Sequence, residues 1–366
     1  MKSGIVFVCG VALWLLSPLL WAADIRVAFI NPGSADEPYW RSVTRFMEPA
    51  AKQLGMELEV IYTNRDQVKM VETMQSLTLR AKKPDYVIIS NDKLVAPEMI
   101  RLADQAKIKT FLAFSNLAAD QVVEFGVPRQ KHPLWLGSIR PNSVEGGRLT
   151  AQELVRRAQK AQLVGKDGKI HIALISGDKA TITGVEREAG AMQVFKANPS
   201  VMVEQIVNAN WSRDRAKQQA GLLLQRYPNL NAIWVASDLM AYGAIDGSRE
   251  AKRQPGKDLL FSAFNNSPEV LRAVVQGNIS SLAGGHFTAG GWALVMLHDY
   301  HHGVDFAKFG LEQELSLFAL LDEQLAQRFL VRYGEEDFSS VDFKQFSRFL
   351  NPKLMRYDFG LLQILK

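Results

Sequence analysis

Few side chains in this sequence could do chemistry. Six histidines are present. His298 and His302 stand four apart, a spacing that puts two imidazoles on one helix face, where they could hold a metal ion. Apart from nearby Asp299 and Asp305, that face offers no acidic third ligand. A polar helix end before Gly303 accounts for the pair, because histidine suits the helix dipole there. No metal site is expected. Ser176-Gly177 follows an apolar run, but the G-x-S-x-G elbow of an α/β hydrolase is absent. The Gly-rich phosphate loop and the G-x-G-x-x-G turn are absent too. Neither a catalytic residue nor a cofactor is expected.

What recurs instead is a polar group directly after an apolar run. Ser90-Asn91-Asp92, Ser115-Asn116, Ser237-Asp238 and Asn265-Asn266 all have this form. In open α/β sheets, ligands bind outside the carboxyl ends of the strands. These side chains are therefore candidates for ligand contact. Helix N-capping is the competing role, above all for Asp92 and Asn266. Pro38-Tyr39-Trp40 opens one helix, and Trp211 opens another after Asn208-Ala209-Asn210. Aromatic faces stack on the C–H faces of sugar-like rings, while amides and charged groups bond hydroxyls. Either indole alone could be a core or interdomain plug. Together with the polar strand ends they form a ligand-cleft composition.

The elements that must position these residues follow an α/β grammar. Residues 25–30, 56–62, 85–89 and 109–114 read as strands. Helices are expected near 39–54 and 67–81, the latter from Val68, Val71, Met74 and Leu77 near period 3.6. The pattern restarts with a short strand at 134–136 and a helix at 144–161. Strands at 170–175, 201–207, 232–236 and 259–264 alternate with helices near 185–196, 213–226, 240–251 and 268–276. Fully apolar strands between helices indicate parallel sheets covered on both faces. Two successive sets indicate two doubly wound units. From about Leu315 the apolar spacing predicts one strand and two short helices packed back on the body.

The 366 residues suit two domains, and 47% hydrophobic against 22% charged residues excludes a disordered, collagen-like or multi-span membrane chain. Lys2, an apolar run over 5–20 and Trp21-Ala22-Ala23 describe a secretory signal peptide over residues 1–23, cleaved after Ala22 or Ala23. Cys9, the single cysteine, lies within it and too early for a lipoprotein site. Without the signal, 42 Lys+Arg face 38 Asp+Glu, a net of +4, and no disulfide or cysteine-ligated site is possible. No basic stripe marks a nucleic-acid surface.

The order of features resembles the periplasmic sugar-binding proteins of the ribose-binding type. The resemblance runs from Ile25 to about Gly303. It is carried by residues 237–246, Ser-Asp-Leu-Met-Ala-Tyr-Gly-Ala-Ile-Asp, by Arg187-Glu-Ala-Gly190, by Val144-Glu-Gly-Gly-Arg148 and by residues 268–279. It implies two Rossmann-like lobes joined by a multi-strand hinge, with the ligand in the interlobe cleft. One lobe would comprise 24–140 plus 287–313 and the other 141–286 plus 314–335. Residues 336–366 would form a helical C-terminal extension. The chain would cross between lobes near residues 141, 287 and 314.

Carried over residue by residue, the resemblance implies that Trp40 walls the cleft and that Asn116 bonds the ligand. Arg187 reaches it from the second lobe as a planar fork, and Trp211 stacks. Ser237, Asp238 and Asn265 hydrogen-bond hydroxyls, with bracing of the turn as the other role open to Asp238. His286 lies near a last polar contact. Ser115-Asn116 stands where sugar binders usually carry Asp-Arg, and Asn265 where they carry Asp. The chain is also similar to the autoinducer-2 receptor of the same fold, in the spacing of Gly33 to Tyr39-Trp40 and in Asn116, Arg187 and Ser237-Asp238. The arginine expected in that receptor around Gly284-Gly285 is missing. The implied protein is a periplasmic monomer that closes on a sugar, polyol or furanone-like ligand. Its partner would be an ABC importer permease or a membrane sensor such as a kinase or cyclase. A secreted α/β hydrolase is the alternative from another class.

Overall fold

The computed structural model describes residues 25–365. The expected signal peptide, with Lys2 and Cys9, lies outside the described residues. Among the described residues no helix is long and apolar enough to cross a membrane.

The chain builds two six-stranded sheets. The first run is β1 (Ile25–Asn31), α1 (Pro38–Gln53), β2 (Met56–Tyr62), α2 (Gln67–Thr78) and β3 (Tyr86–Ile89). It continues with α3 (Ala96–Gln105), β4 (Lys109–Ala113), α4 (Ala119–Phe125) and β5 (Trp135–Pro141). The second run is α5 (Ser143–Lys160), β6 (Ile170–Ser176), α6 (Ile182–Ala197), β7 (Val201–Asn208) and α7 (Arg213–Arg226). It closes with β8 (Ala232–Val235), α8 (Asp238–Glu250), β9 (Leu260–Phe264), α9 (Pro268–Val275) and β10 (Ser281–Gly284). Then come α10 (Ala289–His301), β11 (Glu312–Leu315), β12 (Ala319–Leu320), α11 (Glu323–Tyr333) and α12 (Leu361–Ile364).

The sheet orders are β11-β5-β4-β3-β1-β2 and β12-β10-β9-β8-β6-β7. Every pairing is parallel except β10 with β12. Strands β3, β6, β8 and β9 are buried along their whole length, as sheets covered on both faces require. The chain passes between the sheets after Pro141, between β10 and α10, and between β11 and β12. Strand β11 stays with β5 through Leu315, so the last passage falls on residues 316–318.

Some elements go beyond the sequence reading. Strand β5 runs to Pro141 rather than ending at Leu136, because its neighbour β11 arrives from far along the chain. Strand β10 and helix α4 are short and carry little periodicity. The two glycine motifs have a packing cause. A Cβ on Gly147 would lie 2.0 Å from the Arg187 carbonyl oxygen, and one on Gly190 would lie 2.0 Å from that of Val144. Helices α5 and α6 can touch this closely only without side chains there, which sets where Arg187 stands.

The tail is pinned by one carboxylate. Asp299 on α10 is 0% exposed. It accepts from the amides of Arg348 (2.7 Å) and Phe349 (3.2 Å), from Tyr357 Oη (2.9 Å) and from Ser347 Oγ. Those amides would serve the helical ladder if the spacing of Phe343, Phe346 and Phe349 continued as a helix. The segment instead keeps a single 3-10 turn, Phe343–Phe346, and most of 336–360 is irregular. Phe359 stacks on Trp292 of α10 at 4.8 Å, and Phe343 meets Phe46 of α1 at 5.0 Å. Burial opposes the charge of Asp299, but its donors outweigh burial and hold its pKa below the ordinary 3.8. Its contribution to stability is thus present above the unfolded carboxyl pKa and lost as pH falls through the lower folded value. Replacing Asp299 with Ala is expected to cost about 2–4 kcal/mol, because several buried donors lose their acceptor. Urea unfolding at pH 7 measures this, and the deficit should shrink in acid.

Candidate ligand-binding site

The carboxyl ends of the two sheets face each other across a narrow cleft that encloses a cavity of about 80 Å3. Both lobes use one device to present an aromatic wall. After β1, a Cβ on Gly33 would lie 1.9 Å from Trp40 Cδ1. After β6, a Cβ on Gly177 would lie 2.3 Å from Trp211 Cζ2. Each indole therefore lies flat over a glycine backbone at the end of its lobe's first strand. The Nε1 atoms of Trp40 and Trp211 are buried without partners.

The first lobe adds charge. Asn64 and Arg65 both take left-handed backbone (φ 54° and 58°). Their amides bond the carbonyls of Gly33 (2.9 Å) and Pro32 (2.6 Å), tying this turn to the loop after β1. The Arg65 guanidinium then reaches the cleft. Its Nε donates to Glu37 Oε2 and its Nη1 to Asp92 Oδ2, both at 3.3 Å, and its Nη2 also bonds Glu37. Burial opposes its charge, but the two carboxylates outweigh burial and raise its pKa. It lies 5.8 Å from the Trp211 ring of the other lobe. Lys93 also crosses the cleft, to pair with Asp178.

The second lobe holds a cation with no carboxylate bonded to it. Arg187 is 4% exposed. Its Nη1 donates to the Ala236 carbonyl at 2.8 Å, its plane covers Phe264 at 4.4 Å, and its Nε has no partner. Burial pushes its pKa down to about 10. Ser237 caps α8 through the Met240 amide at 3.3 Å. Asp238 accepts from Ser267 Oγ (2.8 Å), the Leu239 amide (2.7 Å) and Asn265 Nδ2. It thereby braces the turn while also lining the cleft. His286, 1% exposed, is sandwiched between Tyr39 at 4.8 Å and Phe318 at 4.6 Å. Neither ring nitrogen has a partner, and burial followed by the nearby Arg187 charge keeps the ring neutral.

Of the residues expected at the site, Trp40, Arg187, Trp211, Ser237, Asp238, Asn265 and His286 line one cavity. Asn116 is not among the lining residues. Its carbonyl accepts Asn91 Nδ2 at 2.9 Å, and Ser115 faces the cleft instead. Asn266 is structural: its Oδ1 accepts the Gly285 amide at 2.5 Å. Glu37, Tyr39 and Arg65 were not anticipated. The strand-end rule extended to β2 points to Thr63-Asn64-Arg65, but nothing local signals that the side chain turns inward. His298 and His302 do not line this cleft and sit beside the tail residue Phe349.

Two α/β lobes, three crossings and a cleft walled by both lobes define a two-lobed solute-binding protein of the type I periplasmic fold. The chain belongs to the periplasmic binding protein domain family, whose model matches residues 27–303. A periplasmic sugar-binding protein from Pseudomonas fluorescens superposes with a TM-score of 0.84 at 38% identity, covering 93% of this chain and 99% of that one. That span reaches past residue 303, so the likeness includes much of the tail. The galactofuranose-binding protein of Escherichia coli (strain K12) is 20% identical over 271 residues, 73% of this chain and 79% of its own length. The D-apiose import binding protein of Paraburkholderia graminis is 24% identical over 254 residues, 69% and 73% of the two chains.

Asp238 gives a pH test of this wall. Burial, partly offset by its hydrogen bonds, pushes its pKa up to about 6 from an ordinary 3.8. The folded protein therefore keeps a proton that the unfolded chain has lost. Stability from this group is full below its unfolded value and is lost as pH rises through about 6. Relative to Asp238→Asn, the wild-type Tm is expected to fall progressively over that window. A thermal-melt series measures the difference, and a constant offset would contradict the assignment.

Proposed function

We propose that this protein is a periplasmic receptor that closes on a neutral sugar and delivers it to the permease of an ABC importer. The observation that carries the reading is the pair of indoles, one from each lobe, set around a buried arginine whose Nε has no partner. The indoles suit the C–H faces of a sugar ring, and the arginine and neutral histidine suit its oxygens. Trp40, Arg187, Trp211, Ser237, Asn265 and His286 are the contacts in this reading. The matched relatives support it, being by name a galactofuranose-binding protein and a D-apiose import binding protein. Export through a cleavable signal over residues 1–23 fits the same reading, as does binding without turnover.

A ligand that touches both walls makes contacts in the closed state that the open state lacks, so binding shifts the lobes toward closure. The permease then reads the closed surface. A thermal-shift and calorimetry panel of D-ribose, L-arabinose, D-galactose, D-allose and D-apiose tests the ligand class. A true ligand at 100 times its Kd adds about 2.7 kcal/mol of stability. Arg187→Ala should weaken that ligand by roughly 2–4 kcal/mol, since buried ligand oxygens lose a charged donor, while the protein stays folded. Solution scattering should show a smaller radius with ligand. No shift with any sugar, or an unchanged affinity in the variant, would overturn the assignment.

A further inference from the structure

One acid in the first-lobe wall has a buried carboxylate oxygen without a hydrogen-bond partner. Asp92 follows β3 and is 7% exposed. Its Oδ2 takes Arg65 Nη1, while its Oδ1 is buried with no partner. Arg65 is not able to swing round to it. Glu37 holds the Nε and Nη2 of that guanidinium, and the backbone amide is bonded to Pro32. The next residue, Lys93, is engaged with Asp178 across the cleft. Burial raises the Asp92 pKa, and the Arg65 charge opposes that shift.

At the neighbouring strand ends most side chains bond within the protein, while Asn116 Oδ1 is, like Asp92 Oδ1, buried without a partner. The Ser90 and Ser115 hydroxyls bond each other at 2.9 Å. The Asn91 side chain donates to the Asn116 carbonyl and Gln121 Oε1 and accepts the Ala96 amide. Asn116 itself is absent from the wall. Of the unpartnered side-chain acceptors at the ends of β3 and β4, Asp92 Oδ1 is the charged one, and it belongs to a residue that lines the cleft.

We propose that Asp92 is a specificity-determining residue of the first lobe, its Oδ1 accepting one hydroxyl of a neutral sugar while Arg65 fixes the orientation of the carboxylate. This rests on the sugar reading above. A carboxylate only accepts, so it selects a hydroxyl aimed at it and repels a carboxylate or phosphate in that place. The role that sequence assigns to Asn116 at the end of β4 passes to the end of β3. Asp92→Asn would turn its carbonyl toward Arg65 and present N–H groups where the acceptor stood.

Calorimetry with D-ribose, L-arabinose, D-galactose and D-allose tests this on the wild type, Asp92→Asn and Asn116→Ala. For the sugar that binds the wild type tightest, Asp92→Asn should lose roughly 10- to 100-fold in affinity. Asn116→Ala should stay within about twofold, and the ligand-free Tm of Asp92→Asn should not fall. Monodeoxy analogues of that sugar identify the hydroxyl. One analogue should bind the wild type more weakly than its parent, yet bind Asp92→Asn as tightly as the parent does. If Asp92→Asn does not fold, Asp92→Glu, which keeps the charge but moves the oxygen by one methylene, carries the same expectation. Equal affinity in wild type and variant, or an equal loss in Asn116→Ala, overturns the proposal alone. Failure of every sugar to bind the wild type overturns the sugar reading and this proposal with it.

Discussion

The direction of the strands is the constraint on which the rest of this molecule depends. In each lobe the strands that carry the site run parallel, so all their carboxyl ends emerge on one edge. In a parallel sheet every loop that follows a strand leaves from the same edge. Glu37, Arg65, Asp92 and Ser115 follow four strands separated in sequence, yet they meet because those strands end together. The same holds for Trp211, Ser237 and Asn265 opposite them. Three passages of chain then hold the two edges face to face, and Pro141 and His286 from those passages line the floor of the cleft.

Within that frame, the charges are distributed unevenly. The first-lobe cation is bonded by two carboxylates, and the second-lobe cation by a single carbonyl. A buried arginine without a bonded counter-ion is costly in the empty protein. It is also ready to bond, since a ligand oxygen that reaches it restores a lost hydration shell. The neutral His286 beside it adds no second charge to be compensated. The wall therefore offers a ready donor to a ligand oxygen.

Past β12 the tail adds no strand to either sheet among the described residues and packs beside the crossings. Helix α11 packs on α9 of the second lobe. From it, Tyr333 Oη bonds the Ile364 carbonyl and Arg328 bonds that of Leu365 at 2.6 Å. The intervening segment is fastened to α10 and α1 of the first lobe through Asp299, Trp292 and Phe46. Arg41 of α1 also pairs with Glu336 at 2.7 Å. The segment thus ties the two lobes together alongside the crossings, with Leu361 against Gly285 at the second crossing.

Sequence alone carried the strand–helix alternation, because fully apolar strands and 3.6-period helices leave local patterns. It carried Trp40, Trp211, Ser237, Asp238 and Asn265 to the cleft, because each sits within a few residues of a strand end or helix start. Arg187 and His286 needed the resemblance as well, since one lies inside a helix and the other at a crossing. The structure decided what no local pattern encodes. Arg65 enters the wall through hydrogen bonds to a loop more than thirty residues earlier in the chain. Asn116 is absent from the wall, and its backbone carbonyl accepts the Asn91 side chain of the neighbouring strand end. The phenylalanine spacing of the tail gave a helix for only one turn, because Asp299, about fifty residues earlier, takes the amides that a helix would use. Periodicity and strand-end chemistry are local and can be read from a sequence. Hydrogen bonds between distant segments decide which way each polar group points, and these exist only once the chain has folded.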